Sequence, residues 1–154
     1  MIHDNVQNLK PHLEPGGRLL GLDVGTKTIG IAVSDSALAI ASAIKTIRRT
    51  KFNSDTKTLR EIRHDRGAGG IVIGLPVSMD GTEGPACQSV RQFAANLDVR
   101  LETHIAFWDE RLSSSAVKRL LIEEADMSRK RRSEVVDKLA ATYILQGALG
   151  LLHG

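Results

Sequence analysis

Apolar residues occur along this chain in short runs divided by glycine-rich breaks. Leu19, Leu20, Leu22 and Val24 form one run with a single carboxylate, Asp23, inside it. The run stops at Gly25-Thr26-Lys27 and resumes with Ile29, Ile31 and Val33 alternating against smaller residues. Two such runs joined by a Gly-containing turn predict a β-hairpin, with strands at about 18–24 and 28–34. Ile40 to Ile47 predicts a third strand that continues the meander. Ile71-Val72-Ile73-Gly74-Leu75 is apolar without alternation, as expected of a strand buried on both faces in a parallel pairing. Leu101 to Trp108 predicts a fifth strand.

Helices fill the gaps in the second half. Ser54 is placed to cap a helix over 55–66 whose Lys57, Arg60, Arg63 and Arg66 make one face basic, and Gly69-Gly70 is read as ending that segment. Pro85 suits the first turn of a helix running to about Asn96. Ser113 predicts the cap of another helix, to about Ala125, and a last helix spans Glu134 to Leu152. Residues 1–17 lack periodicity and contain Pro11, Pro15, Gly16 and Gly17, so they read as a flexible N-terminal leader before one domain at 18–154. The order β-β-β-α-β-α-β-α-α implies an α/β fold. Its five-stranded mixed sheet, an antiparallel meander followed by parallel strands, carries helices on both faces.

Composition narrows the class only modestly. The 154 residues, 42% hydrophobic and 25% charged, describe an ordinary globular domain. A formal net charge of +3 is compatible with a polyanionic partner. The lone Cys87 cannot form an internal disulfide, and no signal peptide or long apolar run is evident. The expectation is a cytoplasmic protein with no membrane association.

In an open α/β sheet, ligands bind beyond the carboxyl ends of the parallel strands. Three stretches fall there: Asp23 to Thr28, Gly74 to Gly84, and Asp109-Glu110-Arg111. Asp137, Ala141, Ile144 and Ala148 recur at helical spacing, which sets Asp137 in line with a small apolar face and aims it at the same cleft. Asp23, Glu110 and Asp137 together have the chemistry to share Mg²⁺, a cation of oxygen ligands. Two such ions about 4 Å apart would align an attacking water and stabilise a leaving oxygen in phosphodiester hydrolysis. One geometric tension remains. With the fourth strand between the first and fifth, Glu110 starts roughly 10 Å from Asp23. Gly74 and the reach of a glutamate side chain would close that gap; Asp80, Glu83 and Asp109 are the alternative ligands.

Singly, each feature has a plainer reading. An aspartate at a strand end often caps a turn, and Asp137 in a first helical turn complements the dipole. Asp109-Glu110-Arg111 has the look of a surface ion cluster, and Arg129-Lys130-Arg131-Arg132 that of a solvated basic run. Lys27 is a turn residue or a phosphate contact. Trp108 and Tyr143 read as packing residues, and His64 and His104 have no partner legible in the sequence.

The combination is more specific than its parts. Residues 21–35 (GLDVGTKTIGIAVSD), 73–85 (IGLPVSMDGTEGP), 108–112 (WDERL), Ser128-Arg129-Lys130 and 136–141 (VDKLAA) resemble, in order, the motifs of the YqgF family, also called RuvX-like. The resemblance covers about residues 18–150. It implies a ribonuclease H-like fold and metal-dependent cleavage of phosphodiester bonds with Mg²⁺ or Mn²⁺. It carries the catalytic and metal-binding acids onto Asp23, Glu110 and Asp137. The nucleic-acid contacts expected here are Lys27, Arg111, the basic segment 45–66, and Arg129, Lys130, Arg131 and Arg132. Family substrates divide between precursor ribosomal RNA, with a link to the ribosomal subunit, and branched DNA junctions. The chain is expected to act as a monomer or homodimer.

The main expectation is therefore an endonuclease processing the 5′ end of pre-16S rRNA in ribosome biogenesis. A Holliday-junction resolvase and a non-catalytic ribosome-assembly factor are the alternatives. Actin-like or sugar-kinase ATP binding shares the Asp-x-Gly-Thr hairpin but requires two lobes, for which the chain lacks room.

Overall fold

The computed structural model describes residues 1–112 and 129–153, with backbone alone at 129–135. The helix expected from Ser113 to Ala125 lies outside the described residues. Six strands, β1 (Ile2–His3), β2 (Arg18–Val24), β3 (Thr28–Ser34), β4 (Ala41–Arg48), β5 (Ala68–Leu75) and β6 (His104–Asp109), form one sheet. Their spatial order is β1-β6-β5-β2-β3-β4. The pairs β2–β3 and β3–β4 are antiparallel, whereas β2–β5, β5–β6 and β1–β6 are parallel. Three helices are described, α1 (Phe52–Arg66), α2 (Pro85–Leu101) and α3 (Arg129–His153). No helix among the described residues is long and apolar enough to cross a membrane.

The sheet has six strands rather than five because the N-terminal segment contributes one. Ile2 and His3 pair with Ile105 and Ala106, and a 3₁₀ turn at Val6–His12 buries Val6 and Leu9 against the second core. Two apolar anchors three residues apart are too few to register as periodicity, so this packed edge read as a loose leader.

Strand alternation sorts the core into two layers. Leu20, Leu22, Ile31, Ile71, Ile73 and Ile105 face α1 and α2. Leu19, Ala32, Val72 and Ala106 face α3, whose Ala141, Ile144, Leu145, Ala148 and Leu149 are buried on them. Burying each large aliphatic side chain contributes about 1.5–3 kcal/mol.

Local chemistry moves several boundaries. Helix α1 starts at Phe52, ahead of Ser54. Its entry is organised instead by buried Asp55, whose carboxylate accepts from Thr50 N at 3.2 Å and from Thr50 Oγ1 at 3.1 Å. The helix ends at Gly67, left-handed at φ 63°, a conformation that costs glycine little. Gly69 and Gly70 accordingly lie inside β5 rather than terminating the helix. Helix α2 begins on Pro85 as expected but runs to Leu101, since Leu97 and Leu101 extend its buried face. Tyr143, expected to pack, is 40% exposed.

Helix α3 lies unusually close to the sheet. A Cβ on Gly21 would come within 2.7 Å of Leu145 Cβ, and one on Gly30 would overlap the Asp137 carbonyl. Backbone-on-backbone contact at Gly30 leaves no room for a methyl group. Gly30→Ala should therefore destabilise the fold by ~1–3 kcal/mol in urea unfolding, as overpacking does. Gly150→Ala, with nothing within 4 Å of its added methyl, should be neutral or stabilising, since alanine is the better helix former.

Candidate active site

The C-terminal ends of β2, β5 and β6 meet beside the β2–β3 turn, as the parallel pairing requires. Asp23, half-buried, is the register partner of Gly30. Gly30 in turn lies beneath the backbone of Asp137. Thr28 Oγ1 donates a hydrogen bond to Asp137 Oδ2, fixing that carboxylate over the hairpin. The turn itself is closed by Gly25 N–H donating to the Thr28 carbonyl at 2.9 Å. Arg49 braces it from the far side, with Nη1 donating to the Gly25 carbonyl at 2.7 Å.

Glu110 comes from the short 3₁₀ turn that follows β6. Strand β5 separates β6 from β2, so the side chain must cross one strand to approach Asp23. Gly74 makes the crossing possible, because a Cβ there would sit 2.5 Å from Glu110 Oε1 and 3.0 Å from its Cγ. Asp23 and Glu110 consequently line one cleft of about 230 Å³, with Gly25, Thr26, Arg49 and Ser89 among its walls. A solvent-open cleft with carboxylate oxygens suits a hard divalent cation that retains several waters. Among the described residues, Asp23, Glu110 and Asp137 are not gathered into one group with all three ligand atoms within 4.8 Å.

The alternative ligands are engaged elsewhere. Glu83 forms a two-pronged ion pair with Arg91, at 2.5 and 2.8 Å. Asp80 accepts from Thr82 Oγ1 at 2.6 Å and from Thr82 N at 3.0 Å. Asp109 binds the Arg111 guanidinium, Nη2 to Oδ2 at 2.6 Å. Asp109, Glu83, Arg91 and Arg111 border a second cleft, of about 430 Å³, together with Phe107 and Trp108. Arg111 thus belongs to a different concavity from Asp23. Lys27 is exposed on the hairpin turn that contributes Gly25 and Thr26 to the acid cleft. The side chains of Arg129, Lys130, Arg131 and Arg132 lie outside the described residues.

Two contributors are not singled out by the sequence from the stretches that hold them. Arg49 sat inside a long basic stretch with nothing to distinguish it, and its value comes from stacking over the Phe93 ring at 5.1 Å while reaching Gly25. Thr28 became relevant only when α3 brought Asp137 to it. In α1, Arg60 and Arg63 are partly spent on the α2 end, with Arg60 Nη2 donating to the Arg100 carbonyl at 3.0 Å.

Comparisons with known proteins bear on the family and the fold. A family model described as "RuvX: Holliday junction resolvase" matches residues 17–150. A Rhodospirillum centenum protein named "Putative pre-16S rRNA nuclease" is 58% identical over 154 residues, covering 97% of this chain and 81% of that protein. A Paramagnetospirillum magneticum protein of the same name is 63% identical over 132 residues, 86% of this chain and 84% of that one. Among solved structures, T. thermophilus RuvC in complex with a Holliday junction substrate superposes with a TM-score of 0.56 at 11% identity. It covers 90% of this chain and 96% of its own, a likeness of fold.

The Asp109–Arg111 pair sets a pH dependence. The guanidinium hydrogen bond holds the Asp109 carboxyl below the usual aspartate range, and burial opposes it more weakly. A carboxyl depressed in the folded state stabilises the fold above its unfolded pKa, and that contribution is lost as pH falls through the folded value. Arg111→Gln should raise the Asp109 titration toward the ordinary range in carboxyl-carbon NMR and flatten the acid limb of unfolding.

Proposed function

The chain belongs to the RuvX family, and we propose that it is a divalent-metal endonuclease that processes the 5′ end of pre-16S rRNA. The observation that carries this reading is that Asp23 and Glu110, from opposite ends of the sheet-forming sequence, line one cleft at the parallel strand termini. Relatives more than half identical in sequence bear a pre-16S rRNA nuclease name, which favours precursor ribosomal RNA as substrate.

In this reading Asp23 and Glu110 hold Mg²⁺ or Mn²⁺ through carboxylate oxygens, with Asp137 completing the site from α3. Bound there, the ion supplies Lewis-acid stabilisation of the charge that develops on the phosphate. Thr28 keeps the Asp137 carboxylate oriented by its hydrogen bond. Lys27, exposed on the turn, meets the nucleic-acid backbone, and Arg49 holds the turn that forms the cleft floor. Binding of this kind weakens steeply with salt as counterions are released.

Branched DNA is the second substrate considered, supported by the description of the matching family model. Parallel digests of precursor 16S rRNA and a four-way DNA junction in Mg²⁺ or Mn²⁺ separate the two. The expected result is a discrete cut near the rRNA 5′ end with the junction intact; the reverse pattern would replace RNA processing by resolution. Asp23→Asn and Glu110→Gln should each reduce cleavage ~10²-fold or more, given the several kcal/mol of charge stabilisation such an ion supplies, while RNA binding persists. Millimolar Mg²⁺ should raise the melting temperature of the wild type, by preferential binding to the native state, and should leave the Asp23→Asn, Glu110→Gln double variant unmoved.

A further inference from the structure

At the opposite end of β6 from the acid cleft, three histidines from three separate segments meet. His3 ends β1, His12 ends the 3₁₀ turn and His104 opens β6. One nitrogen from each ring lies within 4.8 Å of the other two. His3 Nε2 and His104 Nδ1 are 3.0 Å apart, and the His12 and His104 rings stack with centroids 4.0 Å apart. From the β6 rise this cluster stands roughly 17 Å from the acid cleft.

We infer that His3, His12 and His104 form a binding site for an imidazole-preferring divalent transition ion of the Zn²⁺ class, separate from the carboxylate site. Tetrahedral Zn²⁺ with Zn–N bonds of 2.0–2.1 Å needs ligand nitrogens about 3.4 Å apart. His3 Nε2 and His104 Nδ1 already approach that spacing. His12 is exposed on its outer side, so its ring can leave the stack on His104 and close the small remaining distance. The chemistry of the apo pair is simple. One of the two facing nitrogens carries the proton of their hydrogen bond, and on metal binding that ring takes its other tautomer. Its proton moves to the far nitrogen, and both facing nitrogens present lone pairs.

Imidazole selects Zn²⁺, Ni²⁺ or Cu²⁺ over Mg²⁺, whose preference is for oxygen. The two sites therefore sort their ions by ligand softness. A metal here would cross-link β1 and the 3₁₀ turn to β6, fastening the sheet edge that only two residues of β1 now cover.

The test uses untagged full chain in excess Mg²⁺, titrated with Zn²⁺ by calorimetry and with Co²⁺ by visible absorption. The expected result is one Zn²⁺ per chain, Co²⁺ bands of imidazole coordination, a higher melting temperature and slowed amide exchange over residues 2–12. His12→Gln should abolish Zn²⁺ uptake; because His12 is exposed, that variant decides the matter even if His104→Gln fails to fold. The Asp23→Asn, Glu110→Gln double variant should retain full uptake. Absence of uptake in the wild type, undiminished uptake in His12→Gln, or loss of uptake in the acid double variant would each overturn the assignment.

Discussion

The contact between α3 and the sheet governs most of what this molecule can do. Helices ordinarily rest on a sheet through a layer of side chains. Here the helix backbone at Asp137 rests on Gly30, and Leu145 rests on Gly21. Gly30 is also the register partner of Asp23. Packing α3 and bringing its carboxylate to the end of β2 are therefore one event. Carboxylates brought toward one strand end repel one another.

A second device is the absence of a side chain at Gly74, which lets Glu110 span a strand that would otherwise separate it from Asp23. Its neighbours point elsewhere. Asp109 and Glu83 are matched to Arg111 and Arg91 around a different cleft. Adjacent acids in the sequence are thus divided by strand alternation and turn geometry into a structural pair and a cleft-facing carboxylate. Arg91 also stacks over Phe107 at 5.0 Å, so the second cleft is braced by its own ion pairs. These restraints hold the 3₁₀ turn from which Glu110 projects.

Strand β6 links two chemically distinct ends. Its carboxyl end leads into hard oxygen donors, and its amino end gathers three imidazoles. The edge strand β1 is too short to bury much by itself. Val6 and Leu9 supply the apolar grip that keeps the segment on the sheet, and the histidines converge because that grip sets their positions.

Alternating apolar residues at 18–34, the continuous run at 71–75 and the spacing of Ala141, Ile144 and Ala148 were enough to read a mixed sheet with helices on both faces. Five short stretches in order were enough to read the family. These are local signals, since period and turn chemistry are written into neighbouring residues. Which of Asp80, Glu83, Asp109 and Glu110 faces Asp23 could not be read that way. It depends on which side of β5 each emerges and which arginine it meets. The same holds for Thr28 reaching Asp137, for Arg49 bracing Gly25, and for His3, His12 and His104 sharing one corner. Contacts between residues far apart in the chain exist only once the sheet order is set, and strand order is a property of packing rather than of any one segment.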